Sequence, residues 1–231
     1  MLVYVDLEHP RMHQQKQTWE TMLARHLKIK YRLEEITGDR CLLVHYADVN
    51  PALLQEIQAR AVVVSGTFTN WEHYEQSKLS GLYAIFLKAT WPTLAFCGGY
   101  QLLAQTYGAV LGPIGKKLGP RNRPDEEENQ YWPGMQEEHG FSSVQILKPH
   151  PLFKNLNAEI TVFQAHYWEL KTLPSDFQIL AKSKYCSIQS IAHQTKPLFG
   201  TQFHPEQYND TYAEGKQILK NFFEIAGYAT N

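Results

Sequence analysis

The stretch from Pro92 to Tyr107 admits few folds. An apolar run, Pro92 to Phe96, leads into Cys97; Gly98 and Gly99 follow, and Tyr100 to Tyr107 then carries apolar positions at helical spacing. That is strand, sharp turn, helix. In such an elbow the glycines let backbone pass where a Cβ would clash, and the turn residue stands above the sheet edge. Read so, Cys97 is exposed at a helix N-terminus, where unpaired N–H groups and the positive dipole end favour thiolate over thiol. A free thiol, with a pKa of about 8.5, is mostly un-ionised at neutral pH, so this placement is what would make it a nucleophile. Taken alone, the stretch fits a buried structural cysteine equally well, since free cysteine is among the most buried residue types.

A second motif, Gly200-Thr201-Gln202-Phe203-His204-Pro205-Glu206, supplies what a cysteine nucleophile needs. In extended backbone residues i and i+2 share a side, so His204 and Glu206 face one another with Pro205 directed away. Proline biases the residue before it towards extended geometry. A carboxylate beside an imidazole sets its tautomer and stabilises its cation, as the orienting acid of a hydrolytic triad does. The competing interpretation is a strand-end turn with incidental polar residues.

The order of elements predicts an α/β fold. Leu2 to Leu7, Cys41 to Tyr46 and Ala61 to Ser65 read as strands; Gln14 to Leu27, with Trp19, Met22, Leu23 and Leu27 on one face, Pro51 to Ala59 and Tyr74 to Leu87 read as helices. This alternation implies parallel pairing with right-handed crossovers and chemistry at the carboxyl ends of the strands. Ser143 to Lys148, Ile160 to Gln164, Gln178 to Ala181, Ile188 to His193 and Leu198 to Phe203 follow as strands, and Asp210 to Ala226 as a closing helix capped by Gly227. No repeat or linker divides the 231 residues, so a single domain, 1–231, is expected.

On these motifs the chain resembles a class I glutamine amidotransferase domain of the Cys-His-Glu type, whose elbow usually reads Gly-x-Cys-x-Gly-x-Gln and whose second signature is Gly-x-Gln-Phe-His-Pro-Glu. The resemblance implies a flavodoxin-like, mostly parallel sheet flanked by helices. It also implies hydrolysis of the glutamine side-chain amide through a γ-glutamyl thioester on Cys97, releasing ammonia and then glutamate. Catalytic residues would be Cys97, His204 and Glu206. Ala61-Val62-Val63-Val64-Ser65-Gly66 reads as a buried strand ending in glycine, by itself an ordinary strand end. The resemblance gives the backbone N–H of Gly66 and of Gly98 the role of oxyanion donors, Gln101 that of holding the substrate amide, and His166 a place near the glutamine pocket.

The chain also departs from the family pattern. Ala95 replaces the first elbow glycine, Tyr100 stands where many members have histidine, and Thr67-Phe68-Thr69-Asn70-Trp71 replaces a Gly-Gly-Pro-like continuation, bringing aromatic bulk to the pocket mouth. A polar segment at about 113–139, with Arg121-Asn122-Arg123-Pro124-Asp125 and Glu126-Glu127-Glu128, reads as a rim loop, lid or docking surface, or as a solvated loop.

Composition narrows the partners. A formal charge of −1 gives no reason to expect nucleic acid or a membrane surface. Cys41, Cys97 and Cys186 are an odd trio without CxxC spacing, which fits a reducing cytoplasm better than a disulfide framework or structural zinc. No charged-then-apolar stretch opens the sequence and no apolar run is long enough to span a bilayer, so neither export nor membrane insertion is expected. His9 and His13 lack an HExxH context, so no metal is expected. Without GxxxxGK[ST] or GxGxxG no ATP or dinucleotide site is evident, and no cofactor is expected. Ammonia would therefore go to a separate synthetase or acceptor subunit. The alternatives are a stand-alone hydrolase of γ-glutamyl amides or peptides, which the aromatic loop and long insertion would suit, and a non-enzymatic regulator, against which the intact Cys, His and Glu argue.

Overall fold

Every residue from Leu2 to Asp6 is buried, which a strand allows only when both faces of its sheet are covered. Leu2 and Tyr4 belong to one hydrophobic core and Val3 and Val5 to the other, the period-two alternation of extended chain. The computed structural model describes residues 1–14, 16–115 and 137–230. Its strands in chain order are β1 (Leu2–Asp6), β2 (Cys41–His45), β3 (Ala61–Val64), β4 (Thr93–Phe96), β5 (Leu111–Pro113) and β6 (Glu138–Ile146), then β7 (Glu159–His166), β8 (Trp168–Leu170), β9 (Phe177–Lys182), β10 (Ser190–His193) and β11 (Leu198–Thr201). The α-helices are α1 (Lys16–Thr37), α2 (Pro51–Glu56), α3 (Gln76–Lys88), α4 (Gly98–Thr106) and α5 (Glu214–Ile225).

Nine strands form one sheet in the order β2-β1-β3-β4-β11-β10-β9-β6-β7. From β2 to β11 the pairs are parallel; from β11 to β7 they are antiparallel. The α1 and α5 side chains Leu33, Ile36, Leu219 and Phe222 fill one core, while Leu82 and Phe86 of α3 and Leu102 and Leu103 of α4 fill the other. This is the α/β architecture that the alternation of elements predicts. Strand β11 enters the middle of the sheet beside β4, with Thr201 opposite Phe96, so the last strand ends next to the elbow. Among the described residues no helix is long and apolar enough to cross a membrane.

Several boundaries differ from the sequence expectations for physical reasons. Helix α1 runs ten residues past Leu27, because Ile29, Leu33 and Ile36 continue the buried face. Leu23 and Leu27, expected on that face, are exposed; the buried side chains in this part of the helix are Met22, His26 and Ile29. Strand β6 begins at Glu138 rather than Ser143, paired with β7 over most of its length. A small two-stranded sheet, β5 with β8, has no strong sequence signal because each strand is only three residues long. Most of the polar insertion, residues 116–136, lies outside the described residues.

Tyr100, the departure at the elbow, is fully buried and donates its hydroxyl to the Ile188 carbonyl at 2.7 Å. Tyr100→Phe leaves that carbonyl with only the weaker Cys186 thiol as donor, at 3.4 Å, and the expected loss is about 1 kcal/mol of folding stability. Denaturant unfolding should show a lower midpoint at an unchanged slope; an unchanged midpoint would show that the hydroxyl contributes nothing.

Candidate active site

Cys97 caps the N-terminus of α4 with φ 44° and ψ −108°, a backbone conformation that L residues rarely adopt. The turn is held from both sides. Cys97 donates its N–H to the Thr201 carbonyl at 2.8 Å, and Gly99 donates to the Ser65 carbonyl at 3.1 Å. The nucleophile elbow anticipated from the sequence is thus present, but Cys97 is not exposed: only 7 % of its surface is accessible. The side chain lies beneath the turn that follows β3 and beside β7, with Sγ 3.8 Å from the Ala165 carbonyl.

The glycines at this junction are there for space. A Cβ built on Gly66 would lie 3.0 Å from His204 Cε1 and 3.1 Å from Cys97 Cβ, between the two side chains. One on Gly98 would lie 2.7 Å from Thr67 Cγ2 and 3.0 Å from Thr67 N. Gly66, Gly98 and Cys97 therefore meet at one point. Among the described residues neither the Gly66 nor the Gly98 N–H has a backbone hydrogen-bond acceptor.

His204 arrives just after β11. Its N–H donates to the Phe163 carbonyl at 2.8 Å, and its Nδ1 lies 2.7 Å from Glu206 Oε1. The extended geometry expected through Pro205 is not what produces this contact. Pro205–Gln207 is a turn of 3-10 helix with Pro at its start, and the turn folds the Glu206 carboxylate back onto the ring. Proline tolerates that position because its φ is already helical and the missing N–H is not needed. Arg32 of α1 fixes the turn from outside, donating from Nη1 to the Glu206 carbonyl at 2.6 Å.

The electrostatics follow from this packing. Burial opposes a positive charge on His204, but the Glu206 carboxylate and a hydrogen bond to Cys97 outweigh it and raise the imidazole to about 10. The other two cysteines are different. Burial pushes the Cys41 thiol up to about 12 and the Cys186 thiol higher still, leaving both in the unreactive form.

A pocket of about 480 Å³ opens over Cys97. Gln101, one turn along α4, lines it, and its amide is clamped on three sides: Nε2 donates to Gln202 Oε1 at 3.0 Å and to the Trp168 carbonyl at 3.3 Å, while Trp71 Nε1 donates to Oε1 at 3.3 Å. His166 lines it too, buried at the end of β7, with Nδ1 2.9 Å from the Trp168 carbonyl and Nε2 3.1 Å from both Gln164 Oε1 and Glu138 Oε2. Trp71 brings the expected aromatic bulk to this pocket, whereas Phe68, beneath the Arg25 guanidinium, lines a smaller cavity that it shares with Cys97 and His204. Tyr167 donates to Asn70 Oδ1 at 3.1 Å, joining two sides of the rim. The sequence alone assigns no part to Gln202 or Glu138; Gln202 lies in view inside the second motif, while Glu138 falls within the segment expected to be a polar loop but opens β6. Among the described residues no cluster of three or more His, Cys, Asp or Glu side chains is arranged to hold a metal.

Comparison with known proteins shows which family the chain resembles in sequence and fold. The family described as glutamine amidotransferase class-I matches residues 28–226. The glutamine-hydrolyzing GMP synthase subunit from Methanocaldococcus jannaschii is 33 % identical over 179 residues, 78 % of this chain and 82 % of that protein. The like-named subunit from Methanococcus maripaludis is 31 % identical over 183 residues, with the same coverage. A candidate GMP synthase subunit from Thermoplasma acidophilum, solved by crystallography, superposes with a TM-score of 0.70 at 25 % identity, covering 98 % of this chain and 94 % of that one. A glutamine amidotransferase from Thermotoga maritima shares the fold at 16 % identity and a TM-score of 0.63, covering 98 % and 97 % of the two chains.

The raised value of His204 gives a signed expectation. Because the folded value lies above the ordinary 6.5, the pairing stabilises the folded chain fully below about pH 6.5 and is lost as pH rises through about 10. Imidazole titration followed by NMR should have its midpoint near 10, and Glu206→Gln should bring it down; an unmoved midpoint in that variant would rule out Glu206 as the cause.

Proposed function

Because this chain belongs to the class-I glutamine amidotransferase family, we propose that it is the glutaminase subunit of a two-protein amidotransferase of the GMP synthase kind, with Cys97 as its nucleophile. The observation that carries the assignment of residues is the imidazole of His204, with Nδ1 2.7 Å from Glu206 Oε1 and its ring beside Cys97, a Cβ on Gly66 lying 3.0 Å from His204 Cε1 and 3.1 Å from Cys97 Cβ.

Glutamine enters with its side-chain amide over Cys97 and its amide group towards Gln101, with His166 completing the wall of the pocket. The Cys97 sulfur attacks the amide carbon, and the electron pair of the C=O bond moves onto oxygen. The Gly66 and Gly98 N–H groups receive that oxyanion, an interaction worth a few kcal/mol because the donors are already in position. Protonated His204 gives its proton to the amide nitrogen, the C–N bond breaks, and ammonia leaves a γ-glutamyl thioester on Cys97. Water, losing a proton to His204, then attacks the thioester; sulfur departs as thiolate and glutamate is released. Glu206 holds the imidazole in the tautomer that both steps require.

A separate acceptor is supported by the relatives, which are named as one subunit of a glutamine-hydrolysing synthase. Those relatives give no support to the γ-glutamyl hydrolase alternative. Three free cysteines suit a reducing cytoplasm.

Cys97→Ala is expected to lower glutamine hydrolysis about a thousandfold or more without loss of fold. An electrophilic glutamine analogue should add once to the unmodified protein, read by intact mass, and not to the variant. Glutamate formation that survives in Cys97→Ala would refute the assignment.

A further inference from the structure

Resting on the proposed role of Gly66 and Gly98, we infer that Glu8 is a positioning residue that holds the oxyanion-stabilising turn in its working geometry. Glu8 follows β1 at the carboxyl edge of the sheet, and only 2 % of its surface is accessible. Among the described residues, all the hydrogen bonds of its carboxylate but one come from a single short segment. Oε1 accepts from Thr67 Oγ1 at 3.0 Å and Thr69 Oγ1 at 2.8 Å, and Oε2 accepts from the Phe68 N–H at 2.8 Å; the remaining donor is the neighbouring His9 N–H at 3.1 Å. A buried carboxylate that collects one backbone N–H and the two flanking hydroxyls from three consecutive residues pins that segment to the end of β1.

The fixed segment starts immediately after Gly66. On the other side of Gly66, Ser65 Oγ accepts from the Leu7 N–H at 2.8 Å, and beside Thr67 the Tyr74 hydroxyl, 2.6 Å from Thr67 Oγ1, donates to the Leu7 carbonyl at 2.7 Å. Thr67 is also the residue against which Gly98 packs without room for a methyl group. A shift of Thr67 therefore moves Gly66 through the chain and Gly98 through contact, and both N–H groups leave the point where the oxyanion forms. Such groups act in the transition state, where an error of order 1 Å costs about a hundredfold in rate. Glu8 touches neither the thiol nor the imidazole, so its effect is specific to steps that develop an oxyanion.

That specificity provides the test. Alkylation of Cys97 by iodoacetamide displaces iodide at a saturated carbon and forms no oxyanion; glutamine hydrolysis forms one. In Glu8→Gln the Phe68 N–H loses its carboxylate acceptor, and kcat for glutamine is expected to fall about ten- to hundredfold, with KM and the rate of Cys97 alkylation each within about twofold of the unmodified protein. Thr69→Val should move kcat in the same direction, and Thr69→Ser, which keeps the hydroxyl, should recover it. Should Glu8→Gln not fold, the Thr69 pair decides. An unchanged kcat, a rise in KM alone, or a fall in alkylation parallel to kcat would overturn the role of Glu8. Hydrolysis surviving in Cys97→Ala, measured alongside, would instead overturn the nucleophile assignment on which this inference rests.

Discussion

The parallel pairing of β4 with β11 is the constraint on which the rest of the molecule depends. It sets Thr201 opposite Phe96, and the Cys97 N–H then closes onto the Thr201 carbonyl. One hydrogen bond thus joins the turn bearing the thiol to the strand that delivers the imidazole. Because side chains alternate across a strand, a slip of one residue in this register would send Thr201 and the following turn to the wrong face. Both strands are fully buried, with apolar side chains entering both cores, so such a slip would also drive polar Thr93 and Thr201 into different packing and is strongly disfavoured.

Around that junction the protein keeps charge where water is scarce. A buried imidazolium is costly, and it persists because Glu206 and Cys97 flank it directly. The turn carrying Glu206 is in turn gripped by Arg32, whose guanidinium also stacks over Tyr208. Helix α1 therefore does more than cover the sheet: its basic side chain holds the acid of the site. Across the cleft, Glu8 does for the turn after β3 what Arg32 does for the turn after β11. Both use a single charged side chain to immobilise backbone at the carboxyl edge, the place where loops would otherwise be least constrained.

Much of this is legible in the order of the residues. The strand-turn-helix around Cys97, the alternation of elements up to α4, and the Gly200 to Glu206 motif each rest on patterns a few residues long, and each forms. Local pattern misleads where the deciding contact is remote. The apolar periodicity of α1 points through Met22, Leu23 and Leu27, yet of these only Met22 is buried, joined by His26 and Ile29, because the side chains that meet the core are set by the sheet that α1 covers. The His204–Glu206 contact follows the sequence in its partners but not in its backbone, since a 3-10 turn rather than an extended strand produces it.

What the sequence by itself determined is the chemical inventory and its local presentation: a cysteine on a glycine-lined turn, a histidine two residues from a carboxylate, and strands whose alternation demands two covered faces. These follow from short-range sterics and periodicity, which neighbouring residues decide. What only the tertiary structure decided is which distant groups share a cleft. Cys97 is buried rather than exposed because β7 and the turn after β3 close over it, and Glu8 finds Thr67 and Thr69, 59 and 61 residues onward, because β1 and β3 are adjacent and in register. Such pairings depend on strand order and register, which are set by burying the two cores as a whole, and no local run of residues encodes them.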